Sequence, residues 1–291
     1  MKKIKLFCFG FGQVGKYFVK SLLNKKIELE LVTTNTKKTA SHEFKNLKFK
    51  SFFFSGKDYD PDLIEELNSS NKVLISISPK NQDDLVLKIF KSFFLENNFD
   101  WVTYLSATNV YGNKDGNWVD ENSKTEPTSL RGVARLNAEN NWLKYYKKFE
   151  LPVQILRLSG IYSLENNIIK RLQQGTLQVV EREGHFFSRI HVEDIAEILT
   201  MSLTKFKAGE IFNISDDYPA PNDEVAQYAS DLTSIMLPKK IYPNDLEGKM
   251  LKDFYKDSKK VSNKKMKLFF NYSLKYPTFK EGLEMIQKHI S

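Results

Sequence analysis

The chain is poor in the residues that build metal sites and disulfides. Its 291 residues include one Cys and four His, so no internal disulfide can form and no zinc-ligand spacing occurs. Long apolar runs are also missing: nothing approaches the ~18 consecutive apolar residues of a membrane helix. The opening MKKIKLFCFGFG starts basic, but Lys5 and the glycines break its apolar run and no small-residue cleavage site follows, so no secretory signal is expected. A soluble, cytoplasmic protein with no membrane partner is the expectation. With 13 Gly and 9 Pro, collagen-like and disordered classes are excluded.

Arginine is scarce as well. The 44 basic residues outweigh 36 acidic ones for a net charge of +8, yet only Arg131, Arg135, Arg157, Arg171, Arg182 and Arg189 are arginines. Lysines are spread along the chain among acids, and the densest basic stretch, Lys249 to Lys267, also carries Asp253 and Asp257. No aromatic-basic RNA signature or finger motif accompanies them, so no nucleic-acid partner is expected. An anionic small ligand accounts for mild basicity equally well. A chain that gains solubility from Lys places Arg where a planar, permanently charged fork is wanted.

What is present is core and pattern. At 41% hydrophobic, a chain of this length buries roughly three quarters of its unfolded surface. Strand-like runs fall at Lys3 to Phe9, Glu28 to Thr33, Phe49 to Phe54, Val73 to Ser78, Trp101 to Ser106 and Val153 to Leu158. Between them, apolar spacing and start signals predict helices over Val14 to Asn24, Asp62 to Asn68, Asp84 to Asn97 and Ser129 to Phe149. This alternation predicts an α/β fold: a doubly wound, Rossmann-type parallel sheet with helices on both faces. Residues 1–160, completed by about 188–215 with the strand Glu210 to Ile214, form the predicted dinucleotide domain. Residues 161–187 and 216–291 form a smaller substrate-binding lobe.

The strongest local motif is Gly10-Phe11-Gly12-Gln13-Val14-Gly15, after the first strand and opening the first helix. The first glycine allows a tight turn, the second lets backbone approach a pyrophosphate, and the third lets helix and strand pack. The phosphates then face a helix N-terminus. The alternative is an ordinary tight strand-helix turn. NAD-binding folds carry an acid at the second strand's tip; here the tip reads Thr33-Thr34-Asn35-Thr36-Lys37-Lys38. Asn35 and Lys37 therefore favour NADP over NAD, unless Lys37 and Lys38 are plain surface residues. Ser76, Ile77 and Ser78, ending the fourth predicted strand, should line the cofactor crevice. Cys8 reads as inert core.

Tyr104-Leu-Ser-Ala-Thr-Asn-Val-Tyr-Gly112 resembles the SSxxVYG segment of extended short-chain dehydrogenases/reductases of the epimerase/dehydratase type. Arg157-Leu-Ser-Gly-Ile-Tyr162, Arg189-Ile-His-Val-Glu-Asp194, the Asp257–Lys265 stretch and Tyr276-Pro-Thr-Phe-Lys-Glu-Gly282 fit the same resemblance, which spans the chain in order. It implies cofactor contacts from Ser106, Ala107, Ser159 and Ile161, and a dimer through sheet-flanking helices, so monomer and homodimer both stay open. The family's catalytic Ser or Thr, Tyr and Lys fall on Ala107, Arg131 and Arg135, so the resemblance implies an atypical member without the usual proton relay. Guanidinium stays charged near neutral pH. Arg131 and Arg135 share a helical face and would suit a substrate or cofactor anion; alternatively they form a surface pair reaching Glu139. Remaining proton-carrying candidates are Tyr111, Ser106 and Tyr162, although both tyrosines also read as packing and Ser106 as a strand-end cap. Tyr111, Arg131, Tyr162 and Arg189 are the candidate substrate contacts. His191 reads as structural in preference to a general base. The expected protein is an NADP-binding oxidoreductase- or epimerase-like enzyme for an anionic small molecule, or a dinucleotide-holding sensor or scaffold that has lost catalysis.

Overall fold

The computed structural model describes residues 3–80, 82–247, 252 and 255–290. The start of the basic stretch at Lys249 lies outside the described residues. An eight-stranded sheet is built from β1 (Ile4–Phe9), β2 (Leu29–Asn35), β3 (Ala40–Phe44), β4 (Leu47–Phe53), β5 (Lys72–Ile75), β6 (Trp101–Ala107), β8 (Val153–Leu158) and β11 (Ile211–Ile214). Its spatial order is β11-β8-β6-β5-β1-β2-β4-β3. β1 pairs in parallel with β2 and β5, as do β2 with β4 and β5 with β6. Only the edge pair β3–β4 is described as antiparallel in this sheet. The remaining strands are β7 (Trp118–Val119), β9 (Gly160–Tyr162), β10 (Arg189–His191) and β12 (Lys260–Val261), which pair as β7–β12 and β9–β10. The helices are α1 (Gln13–Asn24), α2 (Leu63–Asn68), α3 (Leu85–Glu96), α4 (Leu130–Phe149), α5 (Ile168–Gln173), α6 (Val192–Ser202), α7 (Asn222–Thr233), α8 (Lys264–Phe270) and α9 (Phe279–Ile290).

Two compact units emerge: Met1–Ala107 with Val133–Arg157 and Ile195–Ile211, and Thr108–Gly132 with Leu158–Asp194 and Phe212–Ser291. In the first, strand alternation sends Phe7 and Phe9 to one face, where they join Val73, Val102, Phe90, Phe94 and Trp142 in a buried cluster with α2, α3 and α4. α1 and α6 take the other face, where Ser21 bonds Thr200 at 2.9 Å and Trp101 donates to Ser202 at 3.0 Å. Cys8 is fully buried and its ionisation is suppressed by desolvation, as inert core requires. Helix starts follow the sequence signals. Asp84 accepts from the amides of Val86 and Leu87, both at 2.9 Å, and from the Trp142 indole at 3.0 Å. Ser129 accepts from Gly132 N–H at 3.1 Å.

The second unit packs α5, α7 and α9 around Tyr162, Ile169, Val179, Ala226, Phe279 and Ile286. Tyr162 lies against Gly282, where any side chain would collide with its ring. Asp194 does not cap α6; its carboxylate accepts from Tyr272 Oη and from the amides of Lys275 and Tyr276. No described helix is long and apolar enough to cross a membrane. No His/Cys/Asp/Glu group able to hold a metal occurs among the described residues.

Candidate functional site

A cavity of about 750 Å³ opens in the first unit where β1, β2 and β5 end. Its floor is the glycine loop. Gly10 has φ +84°, and a side chain there would strike Ile77 and Ser76. Its N–H is held by Thr34 Oγ1 at 2.9 Å, and Ser76 Oγ donates to the Phe9 and Gly10 carbonyls at 3.0 and 3.2 Å. β5 thus stops at Ile75, short of the expected Ser78, because Ser76 turns to bind the loop. Ile77 and Ser78 line the cavity.

Gly12 differs. Its φ of −81° suits any residue, and a Cβ placed there meets nothing within 4 Å. Neither backbone strain nor packing explains a glycine at this point; a ligand approaching the backbone does. Helix α1 begins at Gln13 with no side-chain cap at Gly12 and no acid in its first turn. Lys16, which also lines the cavity, makes no ion pair among the described residues. The buried Thr33 hydroxyl on the wall has no hydrogen-bond partner. An open glycine, a bare helix N-terminus and an uncommitted hydroxyl fit a dinucleotide pyrophosphate and its ribose. Such a cofactor supplies hydride chemistry when bound.

The β2 tip works differently from the expectation. Asn35 is consumed by its own turn: its Oδ1 accepts from the amides of Lys37 and Lys38 at 2.8 and 3.1 Å. Its Nδ2 reaches the Lys38 carbonyl and Ser51. Asn35 therefore borders the cavity as a brace. Lys37 and Lys38 line an adjoining hollow of about 390 Å³ with Thr39 and Asp60.

Of the catalytic candidates, Arg135 on α4 donates to the Leu105 carbonyl at 2.9 Å and to Ser78 Oγ at 2.8 Å. It does not pair with Glu139, which is buried and bound by Arg157 through contacts of 2.7 to 3.1 Å. Arg135 is thereby tied to a cavity-lining serine. Arg131, one helical turn earlier, is exposed. Ser106 is buried with its hydroxyl unpartnered, so it caps nothing, and Ala107 ends β6 beside it. Tyr111 is fully buried, its hydroxyl donating to Asn213 Oδ1 at 2.7 Å. Burial also suppresses ionisation of Tyr162, with Asp216 and Asp194 adding to the effect. Both tyrosines are buried, Tyr111 against Asn213 and Tyr162 against Gly282.

In the second unit, His191 is buried between Tyr162 and Tyr276, at 5.0 and 4.2 Å between ring centroids, and its Nδ1 accepts from Glu193 N–H. Ser159 is buried with an unpartnered hydroxyl, and Ile161 pairs with Ile190 in the β9–β10 ladder; both belong to the second unit, outside the cavity lining. Arg189 is anchored by neutral acceptors: the carbonyls of Phe187 and Ala220 at 3.0 Å each and Asn222 Oδ1 at 3.2 Å. Asn222 in turn donates to Tyr255 Oη at 2.8 Å. Arg189 is desolvated, and the charge of Arg171 adds to the lowering of its pKa; Arg171 itself is exposed, and neither makes a carboxylate ion pair among the described residues. Sequence reasoning missed Arg171, Asn222 and Tyr255 as neighbours of Arg189; the scarcity of Arg was the one available signal.

Known proteins agree with this architecture. Residues 10–215 match the NAD dependent epimerase/dehydratase family. A conserved protein of unknown function from Silicibacter pomeroyi DSS superposes with a TM-score of 0.85 at 29% identity, covering 99% of both chains. UDP-glucuronic acid 4-epimerase from Bacillus cereus, solved with UDP-glucuronic acid and NAD, shares the fold at a TM-score of 0.79 and 17% identity, covering 99% of this chain and 100% of that one. The dTDP-D-glucose 4,6-dehydratase of Dictyostelium discoideum is 26% identical over 222 residues, 63% of this chain and 50% of that protein. The chain thus spans about half the length of that relative. A mainly parallel sheet, a glycine loop opening α1 and a match over residues 10–215 make this chain a member of the NAD-dependent epimerase/dehydratase family.

Proposed function

We propose that the first unit binds NADP in preference to NAD, and that the protein carries out an oxidoreductase- or epimerase-type reaction on an anionic small molecule with a non-standard set of groups. The observation that carries this reading is Gly12, which lines the cavity and where an added Cβ meets nothing within 4 Å among the described residues. The NADP preference is supported by a β2 tip without a carboxylate, with Lys37 and Lys38 beside it and Lys16 on the cavity wall. Arg135 is the group best placed to hold a ribose hydroxyl or phosphate, because Leu105 and Ser78 fix its guanidinium. Arg131 is proposed to hold a substrate anion. In the second unit, Arg171 and Arg189, two cations with no carboxylate ion pair among the described residues, suit a phosphate or carboxylate, and relatives named for nucleotide sugars make a sugar nucleotide the class to try first.

The test is calorimetric titration with NADP and NAD, followed by absorbance assays of nicotinamide turnover with UDP-sugars. NADP should bind more tightly than NAD. Gly12→Val should abolish dinucleotide binding without loss of fold, since the added side chain points into empty space. Unchanged affinity in that variant would overturn the glycine-loop assignment, and tighter NAD binding would overturn the cofactor preference. A second reading, a dinucleotide-holding sensor or scaffold without turnover, is favoured by the burial of Ser106, Tyr111 and Tyr162. It predicts binding with no turnover on any sugar nucleotide.

A further inference from the structure

The β3–β4 hairpin has two unlike faces. Register pairs Ala40 with Ser51, His42 with Phe49 and Phe44 with Leu47, all on one face; Ser41–Lys50 and Glu43–Lys48 occupy the other. The polar face is what an edge hairpin needs in water. The aromatic face is the anomaly, because Phe44 and Phe49 remain partly exposed although they lie beside a well-packed unit. Both rings meet Phe11 of the glycine loop edge-on, at 5.7 Å and 90° and at 5.2 Å and 64°. His42 stacks on Phe49 at 5.7 Å and 27°. Phe11, His42, Phe44 and Phe49 all line the same cavity as Gly12.

We infer that this hairpin is the wall on which the adenine of the dinucleotide stacks, with Phe44 and Phe49 as the residues that set affinity for that half of the cofactor. The inference rests on the dinucleotide reading above and goes further by naming how the base is held. The occupant follows from continuity. A pyrophosphate over Gly12 leaves the adenosine end of the molecule in the part of the cavity bounded by the β2 tip and the hairpin. There the chain offers aromatic faces, and its Asn35 is spent on the turn. Stacking on an aromatic face suits any purine and does not need a hydrogen-bonding partner.

The test uses the whole chain and three probes: NADP, 5′-AMP and nicotinamide mononucleotide. Phe44→Leu and Phe49→Leu keep apolar bulk but remove the π face. Each should weaken NADP and 5′-AMP by about tenfold and leave nicotinamide mononucleotide unchanged, while Phe49→Tyr keeps wild-type affinity. Wild-type affinity for NADP and 5′-AMP in both Leu variants would overturn the wall. So that nothing depends on those variants folding, NMR on the wild-type chain should show NOEs from adenine H2 and H8 to the Phe44 and Phe49 rings. NOEs confined to Ile77 and Leu85 would place the base elsewhere and overturn the proposal. If the wild type binds no dinucleotide, both this inference and the cofactor reading fall; if it binds without touching the hairpin, only this one does.

Discussion

His185 shows what burial does to a single titratable side chain. Its ring lies 4.5 Å from Phe187 and 5.4 Å from Tyr255, stacked on the latter, and is almost completely buried. Desolvation, with the Arg182 cation adding to it, pushes its pKa from 6.5 down to about 4. Between those values the unfolded chain binds more protons than the folded one, so stability is full above pH 6.5 and is lost as pH falls toward 4. We expect a loss of about 1–3 kcal/mol across the window. Urea unfolding of the wild type and His185→Gln at about pH 5 and pH 7 checks it. The midpoint should fall further in the wild type, and equal falls would exclude His185 as the source. At this scale the sequence was a partial guide. The candidate tyrosines were visible as residues, but their orientation depends on Asn213 and Gly282, about a hundred positions further along the chain. Arg135 was legible because helix spacing alone aligns it with Arg131, and the carbonyl it reaches was not.

Elements were mostly legible where apolar periodicity was strong: β1, α1, α3, α4 and β8 fall within one or two residues of the expected spans. β3 went unread because Ala-Ser-His-Glu-Phe has no β-branched residue and one exposed face. Its signal was there in the alternation and in Asn46, which with Lys45 adopts positive φ (65° and 52°) in the two-residue hairpin loop. Such a loop takes the mirror-image turn whose twist matches the strands, and glycine suits its second position. Asn46→Gly should therefore stabilise the protein by roughly 0.5 kcal/mol, and Asn46→Val should destabilise it by about 1 kcal/mol or more. Calorimetric melting reads both changes. A loss in the glycine variant would mean that Asn46 contributes something beyond its conformation. The hairpin is also the element on which cofactor binding is proposed to depend, so Asn46→Val should weaken NADP binding along with stability.

For the whole molecule, strand and helix order gave the α/β class, but the division into units did not follow from it. Residues 108–132 belong with the second unit and 195–211 with the first, because contacts and not chain order define a compact body. The proposal that each unit holds its own ligand leads to a prediction that activity assays cannot reach. A ligand stabilises the region it touches by mass action, about 2.7 kcal/mol at a hundredfold excess over its Kd, and hydrogen exchange reports where. NADP should slow exchange around Gly10–Lys16, at the β2 tip and along the β3–β4 hairpin, all in the first unit. UDP should slow it around Arg171, Arg189 and Asn222 in the second. Arg189→Ala should erase the UDP effect and leave the NADP effect intact. Protection by UDP confined to the glycine loop would remove Arg171 and Arg189 as an anion site and return the phosphate to the dinucleotide cavity. Protection of the second unit that survives in Arg189→Ala would leave Arg171 as the cation that matters.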